Sequence, residues 1–225
     1  MVVSIFHLLP ADRIGGVEIA ASTTLNINND FYKFRVLYLF KKRNNSFSIM
    51  AKFKYFINTV SFLFNEKSYI LITSLWKSNF LSLLYKLFNK NAKLILFFHS
   101  TKNIHLLDEF ITNLTALYSF EIWADSEITM LERINSLQFF KIFQRIFFKN
   151  KKKRVISFVK ERIKPLNQKS CKAKFIYWGR LSSNKNIDKA IKLFSEIHKF
   201  YPDSTFLIIG PDNGVKKFLY EMIKK

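Results

Sequence analysis

KFIYWGRLSSNKNIDKAIKLFSEIHKFYPDSTFLIIGPDNG, residues 174–214, reads as strand, polar turn, helix and second strand. Phe175, Ile176, Tyr177 and Trp178 form a short apolar run that breaks at Gly179. A polar loop, Arg180 to Lys185, follows it. Ile187, Ala190, Ile191, Phe194, Ile197 and Tyr201 then recur at helical spacing, so a helix is predicted over about residues 187–201. Pro202-Asp203 ends it, and Thr205 to Ile209 form a second apolar strand before Gly210. This is a βαβ unit whose first turn holds a glycine and two cations, Arg180 and Lys185, chemistry suited to a diphosphate.

Working back towards residue 1, strands and helices alternate. Strands are predicted at residues 2–8, 34–40, 69–73, 93–98 and 121–124, with helices between them from the 3.6-residue recurrence of apolar side chains. The stripe of Ile49, Phe53, Phe56, Ile57, Val60 and Phe64 is one such helix, and core packing is its reading. The strands are apolar on both faces. That is the signature of a parallel, doubly wound α/β sheet, in which ligands sit beyond the carboxyl ends of the strands. The loops predicted there contain Gly15 and Gly16, Ser74 to Trp76, His99 and Ser126. A glycine turn between strand and helix can hold an anion, and it can equally be a plain tight turn. A histidine at a strand end can likewise be structural.

Residues 137–154 admit two readings. Phe139, Phe140, Ile142, Phe143, Ile146 and Phe147 share one side of a helical wheel, while Lys141, Gln144, Arg145 and Lys149 share the other. Lys151, Lys152, Lys153 and Arg154 extend the basic run. Such a helix can lie on an anionic membrane, or it can pack on a core and present a solvated basic face. Residues 155–159 are the predicted last strand of a first domain, 1–160. Residues 161–173, with Pro165, Asn167, Gln168 and Ser170, read as a linker to a second domain, 174–225.

The composition bounds the function. With 225 residues, 49% hydrophobic and 26 Phe, the chain can bury a sizeable core and is not disordered as a whole. The single Cys171 excludes a disulfide framework and a cysteine-based zinc site. No apolar run reaches the roughly 18 residues of a membrane span, and the apolar start lacks the basic leader and small-residue cleavage site of a signal peptide. Against 16 Asp and Glu stand 37 Lys and Arg, a net charge of +21. This implies an anionic partner: phosphate ligand, acidic membrane or nucleic acid. The joint over-use of Phe, Lys, Asn and Ile is also what an AT-rich coding sequence gives, so part of the surplus needs no partner. No nucleic-acid module is recognisable, which leaves that class the least supported.

Gly179-Arg180-Leu181 with Lys185, the apolar helix, Pro202-Asp203 and Leu207-Ile208-Ile209-Gly210 resemble the family 4 (group 1) glycosyltransferases. Gly15-Gly16-Val17-Glu18 resembles the family's glycine loop after the first strand. His99 sits where a histidine ends a central strand, and Ala124-Asp125-Ser126-Glu127 resembles a further family step. The resemblance implies a GT-B arrangement of two Rossmann-like domains, the first complete and the second begun. It also implies a retaining transfer of a hexose from a nucleotide-sugar donor to a lipid-linked or polysaccharide acceptor, as in lipopolysaccharide, O-antigen or capsule synthesis. The place implied is the cytoplasm or the cytoplasmic face of the inner membrane. Arg180, Lys185 and Gly16 would hold the donor diphosphate, and His99 would act at the sugar or acceptor. Gly15, Ser126 and Gly179 would line the cleft; no metal or cofactor is called for. Two departures stand out. Asn186 replaces the glycine that follows the family's lysine, although Asn tolerates a positive φ better than most residues. The family's paired glutamates, eight positions apart, have no counterpart, which predicts a second domain cut short and a chain that does not turn over by itself. The alternative function is a non-enzymatic basic binder of anionic membrane or nucleic acid, or a nonfunctional transferase remnant.

Overall fold

The structure, a computed structural model, describes residues 3–12, 15–22, 30–40, 49–66, 70–136, 151–157 and 174–224. The chain divides into two units, Met1–Glu161 and Arg162–Lys225.

Among the described residues the first unit is built on six parallel strands: β1 (Val3–Ala11), β2 (Tyr32–Phe40), β3 (Ile70–Ser74), β4 (Lys93–Phe98), β5 (Glu121–Ala124) and β6 (Lys152–Val155). The order across the sheet is β2-β1-β3-β4-β5-β6. Helices α1 (Gly16–Ser22), α2 (Ile49–Asn65), α3 (Trp76–Phe88), α4 (Leu106–Tyr118) and α5 (Glu127–Ser136) fall between them. Side chains alternate across a strand, so each strand feeds two cores. On one face Phe6, Leu8, Leu71 and Leu94 pack with Leu63 of α2 and with Leu81 and Tyr85 of α3. The same face continues through Leu96, Phe98, Ile122 and Ala124 to Ala116 of α4 and Met130 of α5. On the other face lie Ile72, Ile95 and Phe97, joined by Ile5, Phe34, Ile70 and Trp123. Each fully buried leucine stabilises the unit by about 1.5–3 kcal/mol.

From β1 the chain steps outward to β2, then crosses back to β3 and continues the other way. Right-handed crossovers put α2 to α5 on one face and assign α1 to the other. The reversal makes a topological switch point between β1 and β3, where the carboxyl ends of strands open a crevice for ligands.

Among the described residues the last strand of this unit is not at the expected 155–159, of which 156 and 157 are outside any strand and 158 and 159 lie outside the described residues. It is the basic run itself, Lys152–Val155, paired in register with Glu121–Ala124 of β5. Charge rather than apolar pattern decides it. Glu121 accepts a hydrogen bond from Arg154 Nε at 2.9 Å and lies 3.6 Å from Lys152 Nζ. The indole of Trp123 donates to the same carboxylate at 2.9 Å. Burial alone would raise the Glu121 carboxyl; the Trp123 and Arg154 hydrogen bonds and the Arg154 and Lys152 charges hold it below its ordinary value. Lys151 donates to the carbonyls of Ala116, Leu117 and Ser119 at 2.5–2.7 Å, closing the negative end of α4. The amphipathic reading of residues 137–150, with Lys141, Arg145 and Lys149, lies outside the described residues, as does the linker 161–173. Among the described residues no helix is long and apolar enough to cross a membrane.

The second unit pairs β7 (Lys174–Trp178) in parallel with β8 (Thr205–Ile209), Lys174 opposite Thr205 and Trp178 opposite Ile209. Helix α6 (Ile187–Phe200) crosses between them and packs Phe194 against Phe175 and Phe206. A further helix, α7 (Lys216–Ile223), was not visible in the sequence. It starts where Asp212 Oδ1 accepts the N–H groups of Gly214, Val215 and Lys216, and its Leu219 joins Leu181 and Ile187 in a small core. The sheet face carrying Ile176, Trp178 and Leu207 is open among the described residues, Trp178 being 83% exposed.

Candidate functional site

The carboxyl end of the six-stranded sheet gathers the polar residues of the first unit. Ser74 is the last residue of β3, and His99 follows β4 directly. Ser74 Oγ lies 2.9 Å from His99 Nε2 and 2.8 Å from Nε2 of His7, a buried residue within β1. The register explains the line. His7 pairs with Ile72, two residues before Ser74; Ser74 pairs with Phe97, two residues before His99. All three side chains therefore share one face and step towards the carboxyl ends. Phe97 packs against both rings, stacked on His7 with centroids 6.3 Å apart and tilted by 38° to His99 with centroids 4.2 Å apart. Burial pushes His99 down to about 4, with the Asp125 charge opposing it. His7 is pushed down to about 3, by burial first and then by His99. Both imidazoles are neutral at neutral pH.

Leu75, next after Ser74, holds φ 69° and ψ 148°, a region that suits glycine. Strain of this kind costs about 1–3 kcal/mol and persists only where the surroundings over-determine it. Here the Leu75 carbonyl accepts the N–H groups of Ser78 and Asn79 and starts α3, while Ser74 is tied to two histidines.

A second polar chain lies beneath the loop that follows His99. Thr73 donates to Asn79 Oδ1, Asn79 Nδ2 to Thr112, and Thr112 to Asp108 Oδ1, at 3.0–3.2 Å. The other Asp108 oxygen takes the Ile104 N–H at 2.8 Å. Arg133 donates to Asn103 Oδ1, with its guanidinium 4.9 Å from the centre of the Phe98 ring. The loop between β4 and α4 is thus fastened from two helices.

Among the residues the sequence singled out, Ser126 caps α5. It donates to Thr129 Oγ1 and accepts the Thr129 N–H. The carbonyl of Gly15 accepts the Ile19 N–H at the start of α1, and the position a Cβ would take on Gly16 meets nothing within 4 Å. Gly16, Ser74, His99 and Ser126 therefore lie at one end of one sheet. Sequence reasoning reached His99 but missed His7. The available signal was a polar side chain inside an otherwise apolar strand, which requires a buried partner.

In the second unit the loop after β7 is tied to the loop after β8. Gly179 N–H donates to the Ile209 carbonyl, Leu181 N–H to Pro211, and Asn213 N–H back to Leu181, each at 2.9 Å. Ser183 to Lys185 form one tight helical turn, closed by Asn186 at φ 51° and ψ 38°. That is the left-handed conformation glycine would adopt with ease. Arg180 and Lys185 are exposed at either end of this loop, which leads into the amino terminus of α6. Backbone N–H groups and cations together make such a terminus receptive to phosphate. Arg180, Lys185 and Gly179 belong to this unit, Gly16 and His99 to the other. Of the basic run, Lys151, Lys152 and Arg154 have protein partners, and Lys153 is exposed.

No protein-family model matches this sequence, and no curated protein matches it. Solved structures do. A UDP co-structure of MnaA from S. aureus aligns with 99% of the chain at 11% identity and a TM-score of 0.53. UDP-GlcNAc 2-epimerase from Neisseria meningitidis, bound to UDP-GlcNAc, aligns with 99% at 13% identity and 0.53. An alpha-glucosyltransferase in complex with UDP-glucose and DNA containing an abasic site aligns with 99% at 11% identity and 0.54. The chain spans 65%, 70% and 60% of these proteins. At such identities the likeness shows the fold. It is α/β and GT-B-like: a Rossmann-like parallel sheet unit followed by a smaller unit with two parallel strands.

Proposed function

We propose that the chain handles a nucleotide-sugar donor as a family 4 (group 1) glycosyltransferase, with the loop from Gly179 to Asn186 as its diphosphate site. The observation that carries this reading is Asn186. It is the position where the loop departs from the family's glycine, and its backbone takes up the left-handed conformation that glycine would supply. The loop so formed carries Arg180 and Lys185 and leads into a helix amino terminus. Two cations so placed neutralise the diphosphate as it leaves, which lowers the barrier to breaking the glycosidic bond. His99, neutral and fixed by Ser74, acts on the transferred sugar or on the acceptor hydroxyl. Gly16 leaves room for close approach to its backbone.

The acceptor class that fits the resemblance is a lipid-linked or polysaccharide glycan, and the transfer retains anomeric configuration. The surplus of positive charge suits work at the cytoplasmic face of an anionic membrane. The fold neighbours named above also include an epimerase, so products must be identified. Incubation with UDP- and GDP-hexoses, followed by product analysis, separates transfer from epimerisation; without the paired glutamates no turnover is expected of the chain by itself, so saturable donor binding is the readout that tests the diphosphate site. Arg180→Ala should weaken donor binding by about tenfold, the worth of one partly exposed charge-assisted hydrogen bond. Unchanged binding would remove Arg180 from the site.

A further inference from the structure

Helices α2, α3 and α4 pack on one face of the six-stranded sheet, and each follows a strand. Their opening turns therefore stand side by side at the carboxyl edge of the sheet. Trp76 of α3 meets His105, the residue before α4, edge-on at 5.1 Å. Lys77 of α3 reaches over the ring of Phe40, the last residue of β2, at 5.9 Å. On these helix starts Met50 and Phe53 of α2, Phe80 of α3, and Ile104, Leu106 and Leu107 at α4 are 50–81% exposed. Single apolar side chains on a surface need no explanation. Six gathered on adjacent helix starts mark an interaction surface.

We propose that this edge docks on an anionic lipid bilayer, its apolar side chains entering the headgroup boundary and its lysines meeting the lipid phosphates. Charge selects the partner. Lys54, Lys77 and Lys102 are exposed on or just before the same helix starts, and the chain carries +21 overall. A second copy, equally basic, is repelled. Nucleic acid would take up the lysines but leave Met50, Ile104, Leu106 and Leu107 in water. A bilayer uses both, because lysine stems lie along apolar surface while their ammonium groups stay at the headgroups. Each cation held near an anionic surface raises the affinity about fivefold. The acidic residues of this edge do not oppose it. Asp108 is buried, with one carboxylate oxygen on the Ile104 N–H and the other on the Thr112 hydroxyl, and Glu109 is half-buried. The same bonds, with the Asp108 N–H donated to His105 Nδ1 at 3.0 Å, fasten the backbone that carries Ile104, Leu106 and Leu107. Docking then has little chain to order. The loop that carries Ile104 begins at His99, so a bilayer on this edge brings a lipid-linked acceptor to the end of the sheet where His99 lies. Only that last point rests on the proposed function.

Flotation of the full chain with vesicles of equimolar phosphatidylglycerol and phosphatidylcholine, against phosphatidylcholine alone, tests the surface. The expected result is binding to the anionic vesicles that weakens with added salt. Ile104→Ser/Leu106→Ser/Leu107→Ser should lower partitioning about tenfold or more, with an unchanged circular dichroism spectrum, because all three side chains are exposed. Met50→Ser/Phe53→Ser repeats the test on α2. Leu87→Ser, near the opposite end of α3, should leave binding as it was. A parent chain that does not bind anionic vesicles overturns the proposal. So do folded variants of both helix starts that bind as tightly as the parent, which would reduce the contact to charge alone. A dimer that forms without lipid and is lost in the triple variant would assign the surface to a second copy instead. Vesicle binding through this edge without UDP binding keeps this inference and defeats the donor site; UDP binding without vesicle binding does the reverse.

Discussion

Gly210 and Gly179 meet at the carboxyl ends of β8 and β7. A Cβ built on Gly210 would lie 1.7 Å from the Gly179 carbonyl oxygen, and Gly210 itself has φ 157°. The contact joins the loop that carries Arg180 to the loop after β8. Gly210→Ala must therefore push the β7 loop away, at a cost of about 2–3 kcal/mol or more. Chemical denaturation and the amide spectrum of the second unit measure it. A variant with unaltered stability and an unaltered Gly179 amide would contradict this account of the loop.

Asn186 offers a graded test of the same loop. Asn186→Gly should keep the stability or raise it slightly, because glycine adopts the left-handed conformation freely. Asn186→Val should cost about 1–2 kcal/mol, since a β-branched side chain clashes there. Equal stability of the two variants would show that the backbone at residue 186 is not left-handed in solution.

Glu121 is the charge on which β6 is anchored. Its carboxyl is held below the usual value, so the native state binds fewer protons than the unfolded chain. The stability it contributes is present above the unfolded pKa of about 4.5 and declines as pH falls below it. Glu121→Gln should remove about 1 kcal/mol near neutral pH and flatten that acid-dependent loss. Unfolding midpoints measured at neutral and acid pH give both effects. A variant as stable as the parent at both would remove the pairing as the reason for β6.

The two histidines predict a separate acid sensitivity at higher pH. Both native values lie below the ordinary 6.5, at about 3 for His7 and about 4 for His99. The native state thus binds fewer protons once the unfolded histidines titrate. Their contribution is complete above about pH 6.5 and is lost as pH falls from there towards 4, by about 2–3 kcal/mol for each ring. His7→Phe should lose the part due to His7. A stability that stays level from pH 7 to pH 4.5 would contradict the burial of these rings.

Much of the fold was legible because apolar runs and helical stripes are local signals. Lys93–Phe98 and Glu121–Ala124 could be read to their ends, as could Thr205–Ile209. Strand β6 was not, because its residues are charged and pair through Glu121, which lies far away in sequence. Helix α7 was hidden for a related reason: a side chain four residues upstream, Asp212, organises its start. At the site, His99 was legible from its place after an apolar strand. His7 looked like an irregularity within β1, and only the parallel register with β3 brings it to Ser74.

The most direct test of the nucleotide-sugar reading follows the backbone amides of Gly179, Arg180 and Lys185 while UDP is titrated into the chain. The account predicts saturable shifts centred on these amides and on the first turn of α6, strongly weakened in an Arg180→Ala/Lys185→Ala double variant. Amides in this loop that stay unmoved at millimolar UDP, in the folded protein, would contradict it.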